Sequence, residues 1–162
     1  MRRFTAVTLL LFVAATACLG AQKSSRAKAE DDIREAVFRY QFTHNCWGRP
    51  EKVYFLSVND KDPSKAFMRR FRGHKPPVKP VSKCRIDKNL VPGRPKTAVI
   101  DRETGDRGLI FKTEKIKWLN ATKVAVEGGY YADGRGASGN TYTVEMKKGR
   151  WVVTKDDMKW IS

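Results

Sequence analysis

The chain has 162 residues, enough for one domain with a real core and too few for two ordinary ones. Hydrophobic residues make up 41% and charged residues 31%, a globular composition rather than a disordered or fibrous one. Lys and Arg number 33 against 17 Asp and Glu, a net charge of +16, and the two histidines and three cysteines argue against a His-rich metal centre or a zinc finger.

Met1-Arg2-Arg3 is a positive start, and 7–17 (VTLLLFVAATA) is apolar apart from Thr8 and Thr16. That run is about half of the roughly 20 residues that a membrane-spanning helix needs. Small residues Ala15 and Ala17 close that run and polar Gln22-Lys23-Ser24-Ser25 comes after it, the pattern of a secretory signal over 1–21. The expected destination is therefore the periplasm, the exterior, or a lipid anchor on the cell envelope. Two processing routes stay open. Ala15-Thr16-Ala17-Cys18 resembles a bacterial lipoprotein box, with Ala where Leu is usual, and would make Cys18 the lipidated first residue. Cleavage after Ala21 instead leaves Gln22 first. Either route removes Arg2 and Arg3 and leaves Cys46 and Cys84 as an even pair in an oxidising compartment. Their expected disulfide would close a loop of about forty residues and add roughly 3–4 kcal/mol; two buried free thiols are the alternative.

The remainder, 22–162, reads as a single domain. A helical pattern covers 27–44, with Ile33, Val37, Tyr40 and His44 on one stripe. Phe38 and Phe42 lie off that stripe, so the helix is apolar on two sides and should be enclosed. Glu30, Asp31 and Asp32 are expected in its first turns, where carboxylates complement the dipole. Gly48 and Pro50 should end it. A β-type run follows at 51–58. Asp62-Pro63-Ser64 opens a short helix, with Pro in the first turn and Phe67 and Phe71 as anchors beside Met68. Arg69, Arg70 and Arg72 fall beside or opposite those anchors.

Residues 73–96 hold five of the seven prolines and should be extended, broken by a short piece at 83–86. The basic stretch 65–96 carries eleven Lys and Arg against one acid, Asp87, so most of the excess charge is concentrated there.

Four strands are expected at 109–118, 123–131, 140–146 and 150–155, with turns at 119–122, 133–136 and 147–149. Val124 and Val126 alternate with Lys123 and Glu127, and Tyr142, Val144 and Met146 alternate with Thr141, Thr143 and Glu145. Such alternation means one buried and one wet face, an antiparallel meander; no crossover helix for a parallel sheet is evident. An enclosed helix followed by a curved antiparallel sheet resembles the cystatin-like/NTF2-like α+β architecture. The run 128–134 (GGYYADG) and the closing Gly149-Arg150-Trp151-Val152-Val153 are similar to small exported bacterial proteins.

No GxSxG, P-loop or HExxH pattern occurs. Gly134-Arg135-Gly136-Ala137-Ser138-Gly139 lies between antiparallel strands instead of before a helix, so it reads as a hairpin loop and not a phosphate cradle. Neither a cofactor nor a metal is implied. The NTF2-like resemblance implies acid and base groups in a cavity between helix and sheet. Glu114 shares parity with Ile116 and Trp118 and would point inward, unless a β-bulge follows it and turns it to water. His44, on the apolar stripe, would supply the imidazole, unless it frays at the helix end. The main reading is instead a non-catalytic exported domain that binds an anion through Arg69, Arg70, Arg72, Lys75 and Lys79. Phe67, Phe71 and His74 are interleaved with these cations, but the helical spacing of the two phenylalanines suits a core. Export separates the chain from most nucleic acid, so the expected partners are anionic envelope polymers, lipid head groups or another protein. Membrane contact is expected only through the signal or a lipid anchor.

Overall fold

The computed structural model describes residues 7–45, 51–88 and 97–162, with side chains described from residue 25 onward. The chain divides into two compact units, Met1–Asp32 and Ile33–Ser162. Helix α1 runs over Val7–His44, so it begins some twenty residues earlier than the pattern at 27–44 suggested. Glu30, Asp31 and Asp32 are consequently interior to the helix and do not complement its N-terminal dipole. Glu30 pairs instead with Arg26 one turn before it, at 3.5 Å. Among the described residues no helix is long and apolar enough to cross a membrane.

The second unit is α+β. Its main sheet contains β1 (Val53–Val58), β2 (Val78–Pro80), β5 (Gly108–Asn120), β6 (Lys123–Asp133), β7 (Gly136–Lys147) and β8 (Arg150–Ile161), in the spatial order β2-β1-β5-β6-β7-β8. A separate hairpin pairs β3 (Cys84–Asp87) with β4 (Ala98–Asp101). The meander β5 to β8 is antiparallel throughout. The edge departs from a pure meander: β1 pairs in parallel with both β2 and β5. Among the described residues no crossover helix of full length makes that connection. Short helix α2 (Lys65–Met68), two 3-10 turns and the β3–β4 hairpin carry the chain across.

The last turn of α1 closes through the amide of Asn45 on the Gln41 carbonyl, 2.9 Å. From Ile33 on, its two apolar sides fill two clusters. Phe38 and Phe42 pack with Tyr54, Leu56, Phe67, Phe71 and Phe111. Ile33 and Val37 pack with Val124, Val126, Tyr142 and Val144, all without solvent exposure. Met146 falls outside this set, and is exposed near the end of its strand. A third cluster lies around Val53, Phe55, Val99 and Ile110 with Cys84. Strand β1 is therefore covered on both faces, the burial typical of a strand with parallel neighbours.

Ser64 caps α2, its hydroxyl accepting from the Phe67 amide at 3.1 Å; Pro63 thus precedes the cap and is not in the first turn. The loop anticipated at 134–139 is shorter, because β7 begins at Gly136.

Gln41 fastens helix to sheet. Its side-chain amide, fully buried, donates to the carbonyls of Lys112 and Gly129 and to the Tyr142 hydroxyl, at 3.1, 3.2 and 3.1 Å. Burial pushes the Tyr142 phenol well above its ordinary value, so it stays a neutral hydroxyl. Replacing Gln41→Leu keeps the volume and removes the donors from buried acceptors. Urea denaturation should show a loss of roughly 1–3 kcal/mol; an unchanged midpoint would mean that the amide is not a fastening.

Candidate functional site

The basic stretch resolves into two kinds of cation. Arg70 Nη1 donates to Glu35 on α1 at 2.9 Å, and its guanidinium lies 5.7 Å from the Phe67 ring centre. Lys79 bridges two acids, Asp101 at 2.7 Å and Glu103 at 2.9 Å. Both side chains therefore hold the fold together. Arg69, Arg72 and Lys75 are exposed. Lys65, Arg69 and Arg72 line a shallow hollow of about 420 Å³ together with Met68, Pro80 and Asp62. Asp62 accepts from the amide and hydroxyl of Ser82, at 2.8 and 2.6 Å. Among the described residues Lys65, Arg69, Arg72 and Lys75 make no ion pair with protein acids.

The aromatic residues of this stretch do not present stacking faces. Phe67 and Phe71 are buried beside Phe38, with ring centres at 6.0 and 6.3 Å. His74 packs on Phe42 at 4.8 Å, and its Nδ1 lies 2.7 Å from the Pro76 carbonyl.

Glu114 and His44 are not brought together. A register shift between Thr113 and Ile116 places Glu114 in a bulge of β5. The carboxylate goes to the sheet face away from α1, where it lines a trough of about 600 Å³. Its carbonyl accepts from the buried Arg34 at 2.9 Å. Parity with Ile116 and Trp118 is thus broken by the extra residue, as bulges do when they re-aim a side chain. His44 is exposed on the last turn of α1. Its ring stacks on Tyr40 at 3.9 Å, and Nδ1 lies 3.0 Å from the Tyr40 carbonyl and 2.7 Å from the Thr43 hydroxyl.

Sequence patterns alone did not show the neighbours of Glu114 in the trough. Glu127, Tyr131 and Trp160 join it there. Finding them requires strand register, because the trough floor is a cross-strand pair of glycines, Gly129 and Gly139. Among the described residues no group of three or more His, Cys, Asp and Glu is placed to hold a metal.

Cys84 is a buried free thiol that donates to the Val81 carbonyl at 3.1 Å. Burial pushes its pKa up. Cys46, its expected disulfide partner, and the side chain of Cys18 lie outside the described residues.

The two kinds of cation are separable by mutation. Burial raises the Asp101 carboxyl, but hydrogen bonds from Lys79 and the Glu103 amide outweigh it and leave the pKa below the ordinary 3.8. A carboxyl depressed in the fold stabilises fully above its unfolded pKa, and loses that contribution as pH falls through the lower folded value. Lys79→Met should therefore cost on the order of 3 kcal/mol at neutral pH, because Asp101 is left buried and unpaired. The deficit should shrink once pH falls below 3.8. Arg69→Met and Arg72→Met should each stay within about 0.5 kcal/mol of the parent. Urea titrations at pH 7 and pH 3 measure all three.

Comparison with known proteins finds no matching family, no matching curated protein and no matching solved structure.

Proposed function

We propose that the chain is an exported, non-catalytic domain of cystatin-like/NTF2-like α+β architecture that binds an anionic component of the cell envelope. One observation carries this reading: three cations, Lys65, Arg69 and Arg72, line one hollow with no ion-pair partner among the described residues, while their neighbours Arg70 and Lys79 are paired. Two guanidinium forks and an ammonium suit phosphate or carboxylate oxygens, because Arg contacts such groups through two parallel N–H donors. Lys75 adds a fourth exposed charge in the same stretch. Export is supported by the positive start, the short apolar run and the small residues that close it. The separation of Glu114 from His44 gives no support to acid–base chemistry between helix and sheet.

Anionic lipid head groups and soluble polyanions share the required chemistry, so phosphatidylglycerol vesicles and polyphosphate are the two probes. Binding to at least one should weaken roughly 20- to 40-fold between 50 and 200 mM salt if three charges are neutralised. The triple variant Lys65→Gln, Arg69→Gln, Arg72→Gln should abolish most of it with an unchanged melting temperature. Binding that ignores salt, or an unaffected triple variant, overturns the assignment.

A further inference from the structure

The trough on the outer sheet face is built by deliberate irregularities. In β5, Glu114 and Lys115 occupy one bulge opposite Glu127. In β8, Lys159 is the extra residue between Met158, which pairs with Asn140, and Trp160, which pairs with Gly139. Both bulges open onto the same cavity of about 600 Å³, and bulges cluster where a strand must re-aim side chains beside a site. The floor has no side chains: Gly129 faces Gly139 across the β6–β7 ladder. A Cβ on Gly129 would run into the Ser138 carbonyl, and one on Gly139 into the indole of Trp160. Trp160 thus lies over the bare backbone while 56% exposed. Ile110 and Tyr131 complete an apolar wall, and Thr97 fixes the Tyr131 hydroxyl at 2.8 Å.

The charges on the rim are unevenly satisfied. Lys112 pairs with Asp60 at 3.2 Å, and Lys159 with Asp157 at 2.6 Å. Glu114 and Glu127, adjacent across the bulge, have no ion-pair or side-chain hydrogen-bond partner among the described residues. Like charges opposed across strands are destabilising. They have no ion-pair partner among the described residues, in a chain with nearly twice as many cations as acids.

We propose that this trough binds a small organic cation: an amine or guanidinium on an aromatic or apolar body, the body against Trp160 and the charge beside Glu114 and Glu127. The volume is that of a small-molecule site, apolar walls with few polar groups fix orientation, and an exposed indole offers an aromatic or apolar body a face to pack on. This site is separate from the hollow at Lys65, Arg69 and Arg72, and neither reading depends on the other.

The test uses three probes of one shape: phenethylamine, 2-phenylethanol and phenylacetate, titrated into the full chain by calorimetry and tryptophan fluorescence. Phenethylamine should bind saturably, at least about tenfold tighter than 2-phenylethanol, a difference of about 1.4 kcal/mol. Phenylacetate should bind weakest. The double variant Glu114→Gln, Glu127→Gln should bring phenethylamine down to the level of the alcohol, and Trp160→Ala should weaken both. The glutamines are near-isosteric on an accessible rim, so an unchanged far-UV spectrum and melting point are expected alongside. No saturable phenethylamine binding, equal binding of alcohol and amine, tighter binding of phenylacetate, or an unmoved double variant overturns the proposal. Loss of polyanion binding in the Lys65, Arg69, Arg72 triple variant leaves it untouched.

Discussion

A helix that is apolar on two sides cannot be satisfied by a flat sheet, and the second unit is organised around that constraint. Ile33 and Val37 need one wall, Phe38 and Phe42 another. Five strands supply both by bending. Register shifts at Thr113/Ile116, Trp118/Asn120, Tyr131/Asp133, Gly139/Asn140 and Thr143/Val144 mark where the bending occurs. Each local excess residue raises twist and curvature. Gln41 then sets the depth of the helix, because one amide reaches two carbonyls on neighbouring strands and the hydroxyl of Tyr142 on a third.

The bends have consequences on the other face. An extra residue that curves a strand toward the helix also splays side chains outward, and the outward ones at Glu114 and Lys159 border the trough. Core packing and the outer cavity therefore share a cause. The charge pattern follows a similar division. Arg70, with Glu35, ties α2 and its following turn to α1, and Lys79 neutralises the buried Asp101 beside β2. Net charge alone gives no hint of this, since structural and exposed cations count equally in it.

The helix, the four C-terminal strands and the buried set Val124, Val126, Tyr142 and Val144 were legible in the sequence, because period and alternation are local signals. Three features were not. The parallel pairing of β1 with β5 joins segments some fifty residues apart, and its continuous apolar run, VYFLSV, carries no alternation to reveal which face is wet. The start of α1 was hidden because the continuous apolar run at 7–17 carries no helical period to mark it. The orientation of Glu114 stayed open between inward parity and a β-bulge, because parity holds only along an unbroken strand and the bulge leaves no composition signal to choose between them. Of the basic residues, sequence located the stretch but could not sort Arg70 and Lys79 from Arg69 and Arg72. That sorting depends on acids at 35, 101 and 103, brought close only by the fold.

The placement of the helix ahead of its partners has an implication for synthesis. Ribosomes deliver Ile33 and Val37 first, yet the residues that cover them, Val124 to Val144, emerge about a hundred positions later. Parallel pairing of β1 likewise waits for β5. Few tertiary contacts are available to the amino-terminal third by itself, so the second unit can condense only once its distant segments are all present together.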